Sequence, residues 1–167
     1  MDNYLMLDGK KYELSPELVN ALRSIDPVPE KKKAFARNGG EDCYWYIGSK
    51  GSVCEDDDRN YGLDDARYAV ANYCTDKSLM EQRAMHETLN RLLWRYCEEH
   101  GGDNAKWKGD PHYYICFSKM NRNDFEVYAN DNFCIQGVVY FKDKETAKAA
   151  IEEIVKPFLA ARPDFVW

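Results

Sequence analysis

A strand-to-helix junction of one kind occurs twice in this sequence, and that recurrence limits the fold more than any other feature. In the first copy, the aromatic run Cys43-Tyr44-Trp45-Tyr46-Ile47 leads through polar residues to Tyr68-Ala69-Val70-Ala71-Asn72-Tyr73-Cys74. Both runs are predicted as strands, and Thr75-Asp76-Lys77 then opens a helix. In the second copy, Tyr113-Tyr114-Ile115-Cys116-Phe117 leads to Val138-Val139-Tyr140-Phe141, and Lys142-Asp143-Lys144 opens another helix. A shift of 67 residues superposes Tyr73 on Tyr140, Asp76 on Asp143 and Lys77 on Lys144. Past the first helical turn the apolar positions fall out of phase. Duplication and independent use of similar junction residues therefore stand as equal alternatives. Either way the pattern implies tandem strand-rich units, each closed by a helix.

The rest of the chain fits around these units. Tyr4 to Leu14 reads as a hairpin, because Asp8-Gly9 supplies the two positive-φ residues of a type I′ turn between alternating apolar positions. Ser15-Pro16-Glu17 reads as N-cap, first helical proline and first-turn acid. The helix it opens carries Leu18, Leu22 and Ile25 on one side and ends near Asp26, before Pro27 and Pro29. Residues 27–42 form a connector, Gly48 to Gly51 a turn, and Ser52-Val53-Cys54 a short strand. Residues 55–66 read as an acidic loop.

Ser78 to Glu99 is predicted as a long helix, with Met85, Leu89, Leu92, Leu93 and Tyr96 on its apolar face. Gly101-Gly102 ends it. Trp94 lies off that stripe, one turn from Asn90 and two from His86, giving the helix a second semi-apolar edge. Phe125 to Tyr128 reads as a middle strand. The closing helix presents Ala147, Ala150, Ile151, Ile154, Val155 and Phe158, with Pro157 expected to end or kink it and Pro163 to limit any continuation. The predicted fold is α+β: an N-terminal hairpin and helix (1–26), then two antiparallel sheet-plus-helix units (43–100 and 111–162) sharing the long helix. From residue 43 on they are expected to form one compact domain.

Charge and composition narrow the function. With 29 acidic and 23 basic residues the net charge is −6, which argues against strong generic affinity for phosphate backbones. The N-terminal stretch lacks the charged start, apolar middle and cleavage site of a signal peptide, so export is not expected, and no apolar run reaches the ~20 residues that span a bilayer. The six cysteines then read as reduced thiols of a cytoplasmic protein.

Chemical motifs are few. Cys97, His100, His112 and Cys116 have the residue types of a zinc site, but His112 and Cys116 share a predicted strand and would stand about 13 Å apart. A calcium loop starting at Asp56 would put Tyr61 where glycine is needed and Arg67 where a bidentate glutamate is needed. The sequence contains neither a G-x-S-x-G elbow nor a phosphate-binding glycine loop. No catalytic residue, metal or cofactor is assigned, and the chain reads as a non-enzyme. Trp45, Tyr46, Tyr113 and Tyr114 could stack bases, with Lys142, Lys144 and Lys148 opening a helix as in a double-stranded-RNA-binding module. At least half of the strand aromatics must nevertheless face a core.

Three stretches, L-D-G-K-K-Y-E-L-S-P-E-L-V, R-Y-A-V-A-N-Y-C-T-D-K with L-N-R-L-L-W-R-Y-C, and G-V-V-Y-F-K-D-K-E-T-A-K-A-A-I-E-E-I-V-K-P-F closing on R-P-D-F-V-W, cover most of the chain. The whole resembles small uncharacterised accessory proteins of phages and prophages of Firmicutes. The resemblance implies a protein of the host cytoplasm that acts by binding a host protein, such as a component of an antiphage defence system. Its expected contacts are Asp56, Asp57, Asp58, Trp94 and Trp107, with core packing the competing reading for both tryptophans. The alternatives are the nucleic-acid module above and a sponge for nucleotide signals. Homo-oligomer formation is open.

Overall fold

A computed structural model of the chain describes residues 4–23, 33–37, 43–102, 111–118 and 124–167, with backbone alone for 4–7 and 22–23. It is an α+β protein that divides into two units, Met1–Lys32 and Lys33–Trp167. Trp107, Ile25 and Asp26 lie outside the described residues.

In the first unit β1 (Tyr4–Leu7) pairs antiparallel with β2 (Lys10–Glu13). The turn residues Asp8 and Gly9 have φ of 50° and 75°, the left-handed pair that a type I′ hairpin needs. Helix α1 (Pro16–Arg23) follows, and the Ser15 hydroxyl accepts the Leu18 N–H at 3.3 Å. Leu18 is 52% exposed, so the apolar side expected of this helix is not buried at that position.

The second unit repeats one design. Strand β3 (Cys43–Ile47) pairs antiparallel with β4 (Val53–Asp57), which runs on through the acidic residues expected to be loop. Strand β5 (His112–Ser118) pairs with β6 (Asp124–Asn130). In each hairpin the first strand also exchanges two backbone hydrogen bonds with a later residue. Trp45 does so with Cys74 at 2.7 and 2.9 Å, and Tyr113 with Phe141 at 3.0 and 2.7 Å. Two residues on, Asp76 Oδ1 accepts the Leu79 N–H at 3.1 Å and Asp143 Oδ1 the Thr146 N–H at 2.7 Å, capping α3 (Lys77–Glu99) and α4 (Lys144–Ala150).

The turn after each hairpin matches as well. Asp58 Oδ1 accepts the Asn60 N–H at 3.0 Å, and Asn130 Oδ1 the Asn132 N–H at 3.1 Å, both from buried side chains. Asp58-Arg59-Asn60-Tyr61-Gly62-Leu63 thus corresponds to Asn130-Asp131-Asn132-Phe133-Cys134-Ile135, an offset of 72 residues, while Tyr73 and Tyr140 keep the offset of 67. The first copy spends its five additional residues on helix α2 (Gly62–Ala69).

That helix overturns a sequence expectation. Residues 68–74 do not form a strand: Tyr68 and Ala69 belong to α2, Ala71 turns at φ 55°, and only Cys74 bridges to β3. Asp64 nucleates the helix by accepting the Tyr61 and Arg59 N–H groups at 2.9 and 3.1 Å, and with Asp65 it places negative charge in the first turn. Likewise 138–141 form no strand beyond the single bridge at Phe141: Gly137 turns at φ 81° before it, and Asp143 caps α4 two residues after it.

Helix α3 is shared. Its first half buries Met80 and Ala84 with Ile47 and Cys74, and its second half buries Leu89, Leu93, Tyr96 and Cys97 with Val139, Phe141 and the closing helix. The closing helix is not ended by Pro157. Proline offers no N–H to the carbonyl four residues back, and the chain takes one π turn (Ile151–Val155) before continuing as α5 (Lys156–Ala160).

Candidate functional site

The acidic run expected to face a partner is neutralised within the fold. Asp58 is fully buried and receives Arg37 through two bonds, Nε to Oδ2 at 3.0 Å and Nη2 to Oδ1 at 3.1 Å, while the Tyr73 hydroxyl donates to Oδ2 at 3.1 Å. Arg37 also contacts Asp65. Arg67 donates to Asp56 at 2.6 Å and to the Tyr44 hydroxyl, and Arg59 pairs with Asp57 at 3.1 Å. The Tyr44 hydroxyl donates to buried Asp64 at 2.8 Å.

The Arg37 hydrogen bonds hold the Asp58 carboxyl below its ordinary range, and backbone donation from Tyr61 does the same for Asp64. Burial pushes the Tyr44 hydroxyl up to about 12. Asp58 is therefore no surface contact: desolvation would be too costly without Arg37, and with Arg37 the carboxylate is spoken for. Asp56 is half-buried, and Asp57 alone of the three is exposed.

The strand aromatics also have partners. The Lys77 ammonium lies 4.7 Å from the Trp45 ring centre, and the Arg67 guanidinium 3.5 Å from that of Tyr46. Tyr113 is half-buried against the core, and Tyr114 has Tyr140 and Tyr128 at 5.7 and 6.2 Å. Lys142, Lys144 and Lys148 are exposed where α4 begins. Burial raises the thiol pKa of Cys74 and Cys116, which opposes thiolate chemistry at either.

Trp94 is different. Core packing does not claim it: the residue is 46% exposed. Leu89, Leu93, Tyr96 and Cys97 take the inward stripe, so Glu87, Asn90, Arg91, Trp94 and Arg95 share the adjacent face at helical spacing. These five residues line a shallow depression. It shares Glu87 and Asn90 with a neighbouring cavity of about 340 Å³ floored by Leu89, Leu93, Ile115, Val139 and Phe141.

The rim of this groove is polar and fixed. Glu87 is held between Arg83 Nε at 2.9 Å and Arg91 Nη2 at 2.8 Å. Asn90 Nδ2 donates to the Gly137 carbonyl at 3.2 Å across the cavity. Arg95 is 67% exposed in its side chain and meets Glu99 only at 3.9 Å, which leaves its charge available.

Trp167 supplies the far wall, and the segment that carries it, 164–167, is bound to α3. Gln82 Oε1 accepts the Val166 N–H at 3.0 Å and its Nε2 donates to the Asp164 carbonyl at 2.6 Å. His86 Nε2 lies 2.8 Å from the Val166 carbonyl. Trp167 lines the cavity.

Of the sequence candidates, the fold brings Asp56, Asp57 and Asp58 together in the first hairpin, while Trp94 stands in the α3 groove. Gln82, His86, Asn90, Arg91 and Arg95 were not singled out as contacts. The signal was the semi-apolar edge formed by His86, Asn90 and Trp94. Among the described residues no group of three or more His, Cys, Asp or Glu is placed to hold a metal ion, and no helix is long and apolar enough to cross a membrane. No family model matches the chain, nor does any curated protein or solved structure.

Proposed function

We propose that this chain is a binding protein without enzymatic chemistry, and that the groove along α3 captures a segment of a partner protein. The observation that carries the reading is an apolar cavity opening beside a half-exposed tryptophan, on a helix whose adjacent stripe is core. Convergence of apolar floor and a few fixed polar groups is the usual form of a ligand site. Burying one leucine or phenylalanine there is worth ~1.5–3 kcal/mol. Arg95 beside Trp94, whose charge no close ion pair takes up, favours a partner that carries a carboxylate near this apolar residue. In the context of the phage-protein resemblance, the partner is a host protein, and a component of an antiphage defence system is the specific proposal.

The test is selection of random peptides on the immobilised chain, with Trp94→Ala and Arg95→Glu chains as counter-targets. Enrichment of an apolar residue with Asp or Glu nearby, lost on both variants, supports the reading. Equal recovery on all three chains overturns it. A low-salt gel shift that depends on Lys142, Lys144 and Lys148 would instead favour nucleic acid, and a thermal shift with cyclic nucleotides a nucleotide sponge.

A further inference from the structure

We infer that the groove's ligand is an extended peptide with aromatic side chains at alternate positions, and that residues 164–167 are a resident stand-in which such a ligand displaces. The inference rests on the partner-binding reading above and names the form of the partner.

The stand-in is bound as a peptide ligand would be. The Gln82 side-chain amide bonds to the backbone on both sides of Phe165, and His86 reaches the carbonyl of Val166. All three contacts go to main-chain atoms and so make no demand on particular side chains, which backbone recognition of a peptide requires. Specificity comes from the alternation. Phe165 packs with its ring centre 4.5 Å from that of His86 and 5.8 Å from that of Phe158. Trp167 lies 4.9 Å from Phe125 and walls the cavity. Val166 between them points out and is 66% exposed, the period of two of an extended strand.

The stand-in is also removable. Residues 164–167 belong to no sheet; beyond these side-chain bonds and ring contacts they are held by one turn bond, Phe165 N–H to the Arg162 carbonyl at 3.0 Å, and by the packing of Phe165 against the core. A segment tethered by a short stretch of chain has an effective concentration of roughly millimolar, so a free peptide of equal intrinsic affinity competes poorly until the tethered copy is disabled.

The experiment uses the full chain and a fluorescein-labelled synthetic peptide spanning Ala160–Trp167. A Phe165→Ala/Trp167→Ala chain, which keeps Gln82 and His86, should bind the peptide at least about tenfold tighter than the wild type does. Adding Gln82→Ala should weaken that binding about fivefold or more, and a peptide with alanine at both aromatic positions should not bind. Equal binding to wild-type and opened chains, or indifference to Gln82→Ala, overturns the inference.

Hydrogen exchange on the wild type guards against a variant that misfolds. The Val166 amide should exchange at least about a hundredfold faster than the Leu93 amide in mid-α3. Equal protection means a wall that does not open, and the inference falls. Peptides selected on the wild type should compete with the labelled segment. If they bind without competing, partner binding stands and the stand-in idea fails. If the segment binds the opened chain but no selected peptide emerges, the reverse holds.

Discussion

Arg37 and Asp58 meet face to face, with two hydrogen bonds of 3.0 and 3.1 Å to a carboxylate that water does not reach. The pair ties residues 33–37 to the end of β4, and the Tyr73 hydroxyl ties the same carboxylate to the approach of α3. One buried acid thereby joins three stretches of chain that share no strand.

Removing that acid leaves a guanidinium without its main partner and two donors unpaired. Asp58→Ala should cost ~3–5 kcal/mol of unfolding free energy in urea. The neighbouring Asp57→Ala, whose pairing with Arg59 is solvent-exposed, should stay within ~0.5 kcal/mol. Similar losses for the two variants would contradict the burial.

Acid should reveal the same network. Asp58 and Asp64 both have folded-state pKa values below the ordinary aspartate value, the first chiefly through Arg37 and the second through the Tyr61 N–H. A depressed carboxylate pKa gives stability that is fully present above the unfolded pKa and lost as pH falls through the folded one. Unfolding free energy should therefore hold level down to about pH 5 and drop steadily below it, because the unfolded chain then binds more protons than the folded one. Asp58→Asn should flatten the slope below pH 4, and an unchanged slope would remove Asp58 as its source.

These contacts show where sequence reading reached and where it stopped. The Asp8-Gly9 hairpin, the Asp76 and Asp143 caps and the core stripe of α3 were legible because each depends on residues within one turn or one strand pair. Helix α2 was not. Its eight residues carry no long periodic signal, and its nucleating acid, Asp64, is fixed in part by Tyr44 twenty positions earlier. The acidic run looked like solvated loop because Arg37, which buries Asp58, lies 21 residues away across a connector. In the groove, Trp94 stood out on its own helix. The wall opposite it did not, since Gln82 and His86 meet partners 80 or more residues away.

The two copies of the junction should respond unequally to one substitution. Tyr73→Phe removes a donor from a buried charged group and should cost ~1.5–3 kcal/mol. In the second copy the Tyr140 hydroxyl accepts the N–H of Ile135, a residue 38% exposed, so water can replace the bond and Tyr140→Phe should cost ~0.5–1.5 kcal/mol. Urea midpoints at constant slope would measure both. The reverse order would mean that the copies do not carry load as their hydrogen bonds suggest.

Adjacent residues on α3 should separate stability from binding. Leu93 is 8% exposed and packs in the core, whereas Trp94 is 46% exposed beside Arg91 and Arg95. Leu93→Ala should lose ~2–5 kcal/mol of stability through the cavity it leaves. Trp94→Ala should leave stability within ~0.5 kcal/mol, because water already covers much of the ring. It should nevertheless weaken any peptide selected on the groove by ~2 kcal/mol, about thirtyfold, as truncation of an exposed anchoring tryptophan does at interfaces. A melting curve and a peptide titration on each variant decide the matter. If Trp94→Ala melts early, the indole is core after all. If it melts normally and binds normally, the groove lies elsewhere than the surface that meets the partner.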